Sequence, residues 1–137
     1  MSRLKIILDT NVLLVSISSK SPYHWIFEKL LEGVFDLGIT TDILLEYEEV
    51  IGYKYSVAVA KDVVRTLLLL PNVQPIMIYY NWNLIESDSD DNKFVDCAIS
   101  FNTNGIVTQD KHFNILKTID FPKVNLISVV EFKQMLF

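Results

Sequence analysis

Two short apolar runs in this chain each lead to an aspartate, and that arrangement limits the folds open to it. Leu4-Lys5-Ile6-Ile7-Leu8 runs directly into Asp9, and Gly105-Ile106-Val107-Thr108 runs into Gln109-Asp110. Short, nearly continuous apolar segments suit strands buried on both faces, which belong to parallel sheets covered by helices. Parallel strands cannot be joined by a tight hairpin, so the intervening chain has to supply crossover helices.

Those helices are legible. After Pro22, Trp25, Ile26, Leu30 and Leu31 recur at helical spacing, with Gly33 as a stop. Val34 to Ile39 reads as a second strand. Thr41 or Asp42 can cap the next helix, whose apolar stripe is read as Leu44, Leu45 and Val50, with Glu46 among them. Helical periodicity from Ser56 to Leu70 is closed by Pro71, and Val73 to Tyr79 is extended, its proline placing it at a sheet edge. Glu86 to Asp91 combines turn and capping residues and leads into a helical face of Phe94, Val95, Ala98 and Ile99. Asp91 falls in the first turn and projects toward the protein. Lys111 to Leu116 makes a brief helix, Val124 to Ile127 a last strand, and Ser128 to Met135 a last helix. The alternation predicts an α/β chain, a three-layer α/β/α sandwich with a mainly parallel central sheet, over one domain spanning 1–137. In such sheets, sites form beyond the carboxyl ends of the strands, where Asp9 and Asp110 stand.

Composition narrows the function. The 137 residues are half hydrophobic, with no repeat or low-complexity tract. A net charge of −5 argues against a general, charge-driven affinity for nucleic acid, so any such site must be local. The single cysteine, Cys97, excludes an intrachain disulfide and sits in an apolar setting that suits the core. With only His24 and His112 beside it, a structural zinc site lacks ligands. No apolar run approaches the ~20 residues that span a bilayer, and no secretory leader pattern opens the chain. A cytoplasmic protein without a membrane segment is therefore expected.

Four acids remain, each opening or closing a separate element: Asp9, Glu46, Asp91 and Asp110. Hard oxygen ligands converging from several elements are what Mg²⁺ or Mn²⁺ require. Each acid has a plainer reading as well. Asp9 and Asp110 can cap the helices that follow them, Asp91 can be a first-turn charge, and Glu46 a solvated helix residue beside Glu48 and Glu49. Asp88 and Asp90 suit capping or solvation.

The same residues resemble a known family. Ile7-Leu8-Asp9-Thr10-Asn11-Val12-Leu13-Leu14, Ile43-Leu44-Leu45-Glu46-Tyr47-Glu48-Glu49-Val50, Asp88-Ser89-Asp90-Asp91-Asn92-Lys93-Phe94 and Ile106-Val107-Thr108-Gln109-Asp110-Lys111-His112-Phe113 look like the four motifs of the PIN domains. The resemblance is particularly to the bacterial toxin components of toxin–antitoxin systems, the VapC-like ribonucleases. The resemblance implies an endoribonuclease dependent on Mg²⁺ or Mn²⁺, with Asp9, Glu46, Asp91 and Asp110 as catalytic and metal-binding residues. Asn11 and Thr108 would be supporting polar groups, and Asp96 a candidate extra ligand. Asp96 follows Asp91 by five residues, about 140° around a helix, so the two do not easily share one face. Lys93, Lys111, His112 and Lys117 are candidates for contacts with the RNA backbone, or else ordinary solvated residues. RNA, a cognate antitoxin and a second copy of the chain are the partners this implies.

Two other functions fit parts of the pattern. A phosphotransfer domain, either phosphatase or receiver, also places acids at strand ends, but Asp9-Thr10-Asn11 lacks the phosphatase's second aspartate and the receiver's acidic pair is missing. A PIN-like scaffold that binds RNA or a partner without cutting is the non-enzymatic alternative. Trp82 and the Tyr79-Tyr80 pair are the aromatic residues best suited to an exposed interface, whereas Phe27, Phe94 and Phe113 belong to apolar helical patterns.

Overall fold

The computed structural model describes residues 3–137; residues 1 and 2 of the expected 1–137 domain lie outside that range. Strands β1 (Leu4–Leu8), β2 (Phe35–Ile39), β3 (Val73–Pro75), β4 (Gly105–Val107) and β5 (Leu126–Ile127) form one sheet in the order β3-β2-β1-β4-β5. All four pairings are parallel. Ile6, Ile7 and Leu8 of the central strand are fully buried, as a strand covered on both faces must be.

The connections are helical: α1 (Thr10–Ser16) and α2 (His24–Leu31) join β1 to β2, α3 (Thr41–Lys54) and α4 (Val57–Leu69) join β2 to β3, and α5 (Asn92–Phe101) leads into β4. A 3₁₀ segment, Lys111–Thr118, lies between β4 and β5, and α6 (Val129–Leu136) ends the fold. Alternate residues of β2 identify the two covered faces. Phe35 meets Phe132 of α6 edge-on at 5.1 Å, and Trp25 of α2 lies 5.8 Å from the same ring. On the opposite face Gly38 lies under Phe101 of α5, so close that a Cβ there would come within 2.6 Å of the ring. Helices on both faces of a parallel sheet make the α/β/α sandwich.

Moving outward from β1, the chain winds first through β2 and β3 and then, in the other direction, through β4 and β5. The reversal leaves a crevice at the carboxyl ends of β1 and β4, where α/β folds bind ligands. Leu8 pairs in register with Val107, so the residues that follow them emerge side by side.

Several sequence expectations shift. The buried stripe of α3 is Ile43, Tyr47 and Ile51, with Leu44 and Val50 only partly covered and Leu45 57% exposed. This i, i+4, i+8 row contains a tyrosine and is less apolar in sequence than the residues beside it. On α2, Ile26 and Leu30 are buried while Leu31 is exposed. The extended segment after Pro71 pairs only through Val73–Pro75, as an edge strand; residues 76–80 have no ladder partner on their outer side. Val124 to Ile127 contracts to a two-residue strand. The last helix starts at Val129, where Ser128 and Glu131 form a reciprocal capping box.

Candidate active site

Asp9 leaves β1 at the N-cap position of α1, yet its side chain makes no cap hydrogen bond to that helix. Its Oδ2 instead accepts from the Thr108 hydroxyl at 2.9 Å. The same hydroxyl oxygen accepts from the Asp110 amide at 3.0 Å, so Thr108 ties together the ends of β1 and β4. Burial raises the Asp9 pKa; the Thr108 hydrogen bond and the Thr10 amide oppose the rise, and the charges of Asp110 and Glu46 add to it. Asp110 combines two roles, because its Oδ1 accepts from the His112 amide at 2.9 Å and so caps the 3₁₀ segment. The plainer reading therefore holds for Asp110 and fails for Asp9.

Asp91 ends a one-turn 3₁₀ helix, Ser89–Asp91, that runs into α5. Its side chain is 13% exposed, and Oδ2 is buried without a hydrogen-bond partner. Burial pushes the carboxyl up to about 6; the charges of Asp88, Asp110 and Asp9 add to the rise and His112 opposes it. Three carboxylates on three elements thus lie close enough to perturb one another. Like charges held in this way favour a cation among them.

His112 is drawn into the same group. Its Nδ1 lies 3.3 Å from Asp110 Oδ1, 3.7 Å from Asp88 Oδ2 and 3.8 Å from Asp91 Oδ2. One ligand atom each from Asp88, Asp91 and His112 falls within 4.8 Å of the others. Asp88 does cap, accepting from the Asp90 amide at 3.2 Å, but it also borders the acidic group, which its place in a run of Ser and Asp did not signal.

Glu46 approaches from α3. Its Oε2 accepts from the Thr10 hydroxyl, and its Oε1 pairs with Lys93 Nζ at 2.6 Å. Lys93 is thereby engaged with an acid of the site. Thr10, which follows Asp9 directly, is a contributor that sequence reasoning missed; its neighbour Asn11, expected to support the acids, is exposed and lines a hollow of ≈ 240 Å³ with Asp9 and Asp110. Lys111 and Lys117 are exposed and flank a hollow of ≈ 200 Å³ that also includes Asp110. Asp96 stands apart. It is buried on α5, accepts from the Trp82 amide at 3.0 Å and shares no contact with the other acids.

Behind these residues, Tyr47 is fully buried and its hydroxyl donates to the Leu8 carbonyl at 2.5 Å, which fixes α3 against the end of β1. Cys97 is buried, and burial pushes its thiol up to about 12, so it remains a neutral core residue.

A divalent cation fits this donor set. The ligands are hard oxygens with one imidazole nitrogen, and the buried Asp91 Oδ2 has no donor of its own.

The chain's sequence matches the family model described as PIN domain over residues 5–112. The structure is similar to one chain of the crystal structure described as VapBC2 from Rickettsia felis bound to a DNA fragment from their promoter, with a TM-score of 0.63. That likeness covers 91% of this chain and 98% of the other at 17% identity, and it is a likeness of fold. No curated protein matches the chain.

Proposed function

The chain belongs to the PIN-domain family, and from that premise we propose that it is an endoribonuclease that hydrolyses RNA phosphodiesters with Mg²⁺ or Mn²⁺. The observation that carries this reading is the buried Oδ2 of Asp91, which has no hydrogen-bond partner and stands in the field of Asp88, Asp110 and Asp9. Asp9, Asp91 and Asp110 would hold the cation. When bound, it would supply a lowered pKa for water and charge neutralisation on the phosphoryl oxygens.

The chain's own residues do the rest. Thr108 fixes the Asp9 carboxylate, and its contact with the Asp110 amide holds the two strand ends at constant separation. Glu46, gripped by Thr10 and Lys93, would orient the attacking water or help hold a second cation. Lys111 and Lys117 offer exposed positive charge to phosphates beside Asp110, which a chain of net charge −5 needs locally. In-line attack by water leaves a 5′-phosphate and a 3′-hydroxyl.

The likeness to a chain of VapBC2 supports a further reading, that this chain is the toxin component of a toxin–antitoxin pair whose antitoxin covers the acidic crevice. A second copy of the chain is the remaining partner we propose. Among the described residues no helix is long and apolar enough to cross a membrane.

The test is cleavage of a pool of short RNAs by wild type and by Asp9→Asn and Asp110→Asn, with Mn²⁺ and with chelator, followed by end-group analysis. Cleavage that needs Mn²⁺, yields 5′-phosphates and disappears in both folded variants is the expected result. A folded wild type that binds Mn²⁺ and cuts none of the pool would bring forward the non-cutting scaffold.

A further inference from the structure

A groove of ≈ 400 Å³ runs beside the acidic crevice, within the ~300–1,000 Å³ range of small-ligand sites. Its lining includes the apolar residues Ile76, Met77 and Ile78 and the polar residues Asn81, Asn83 and Asp96. It adjoins a cleft of ≈ 500 Å³ that contains Glu46, and the two hollows share Asp42, Ser89 and Lys93. Chain entering the groove therefore passes Lys93 and Glu46.

Asp96 is the unusual residue here. It is 5% exposed, and Oδ1 accepts a single hydrogen bond, from the Trp82 amide. It forms no ion pair among the described residues, while Lys93, the nearest cation of the groove in sequence, is committed to Glu46. Holding the Trp82 segment needs one acceptor, which an asparagine would supply without burying a charge. The neighbouring Asn92 shows that a neutral side chain can hold such a segment: its Nδ2 donates to the Ile85 carbonyl and its Oδ1 accepts from the Ile85 amide. A carboxylate that lines the groove and has spare acceptor capacity offers it to N–H donors entering from outside the chain. Phosphate is disfavoured, because Asp42 and Asp96 both line the groove and its lysine, Lys93, is committed to Glu46.

Resting on the ribonuclease reading, we propose that this groove is a base-recognition subsite that takes a guanine of single-stranded RNA next to the cut. Guanine alone among the four bases presents two adjacent donors, N1–H and N2–H₂, to one carboxylate. The exposed amides of Asn81 and Asn83 can donate to its O6, and Ile76 and Ile78, two apart on an extended segment, supply an apolar surface for the ring.

The experiment measures fluorescence anisotropy, in chelator so that nothing is cut, of labelled uridine heptamers with a central guanosine, inosine or adenosine. Inosine differs from guanosine only by the missing 2-amino group, so the wild type alone reads the contact. The guanosine heptamer should bind about tenfold more tightly than the other two. In Asp96→Asn, which keeps an acceptor for the Trp82 amide, the preference should vanish while the Mn²⁺-induced rise in melting temperature matches wild type. Equal binding of guanosine and inosine heptamers, binding of none, or a preference that survives in Asp96→Asn overturns the subsite. A Mn²⁺ shift without guanine preference removes the subsite and leaves the nuclease reading standing. Guanine preference without a Mn²⁺ shift does the reverse.

Discussion

The Thr108 hydroxyl donates to Asp9 Oδ2 at 2.9 Å while its oxygen accepts from the Asp110 amide, so one buried side chain serves both strand-end acids. Valine at this position keeps the shape and removes both contacts. It leaves a buried carboxylate oxygen and an amide unpaired, at a cost of about 1–3 kcal/mol. Thr108→Val should lower the urea midpoint accordingly, with Thr108→Ser close to wild type. Equal midpoints for all three proteins would show that water replaces the hydroxyl and that Thr108 positions nothing.

Asp91 yields a pH prediction. Its folded-state pKa of about 6 exceeds the ordinary carboxylate value of 3.8. Between those values the folded chain holds a proton that the unfolded chain has released, so this group's contribution falls as pH rises from about 4 to about 6 and is level above. Asp9 is shifted in the same direction. In chelator, Asp91→Asn should therefore melt above wild type at pH 7 and converge on it near pH 4. Saturating Mn²⁺ should reverse the order at pH 7, since a hundredfold excess over the dissociation constant is worth ~2.7 kcal/mol to a protein that binds it only when folded. Parallel melting curves for the two proteins across that pH range would contradict the raised pKa.

How much of this was legible depended on the range of the interaction. The central strand, its terminal aspartate and the α5 face of Phe94, Val95, Ala98 and Ile99 follow from local patterning, and burial agrees except at Ile99, which is only partly covered. The resemblance to four short motifs located the acids but not their partners. Lys93 and Glu46 lie 47 positions apart and Thr10 and Glu46 lie 36 apart, so no periodicity relates them. The same holds for His112, a candidate for RNA contact or a solvated residue, which is exposed and also faces three carboxylates. Asp96 was held apart from Asp91 by helical geometry alone, and the structure gives it a different partner, Trp82. The α3 stripe differs from the apolar pattern because Tyr47 looks amphipathic in sequence, whereas its hydroxyl finds the Leu8 carbonyl and the whole side chain is buried.

Gly38 tests the sheet itself. A methyl group there would approach Phe101 Cδ2 to 2.6 Å and Ile7 Cδ1 to 2.9 Å, both in the packed face under α5. Gly38→Ala should cost about 1–3 kcal/mol through overpacking, and Gly38→Ala combined with Phe101→Leu should cost less than Gly38→Ala alone. A Gly38→Ala protein as stable as wild type would mean that α5 stands farther from β2.

Lys93 distinguishes an internal partner from an RNA contact. Its ammonium lies 2.6 Å from Glu46 Oε1, with about a fifth of the Lys93 side chain and a quarter of the Glu46 side chain exposed, so screening is partial. A double-mutant cycle of Lys93→Met and Glu46→Gln, read by urea unfolding of the free protein, should give a coupling energy of about 0.5–1 kcal/mol that shrinks in high salt. Additive effects would make Lys93 a free cation, as first expected from its place after Asp91. Kinetics separate the roles further. A lysine that only orients Glu46 should lower kcat when replaced by Met and leave the salt dependence of RNA binding unchanged, whereas a phosphate contact should reduce that dependence by about one counterion. With Glu46 already holding the ammonium, an effect on kcat is the expected result.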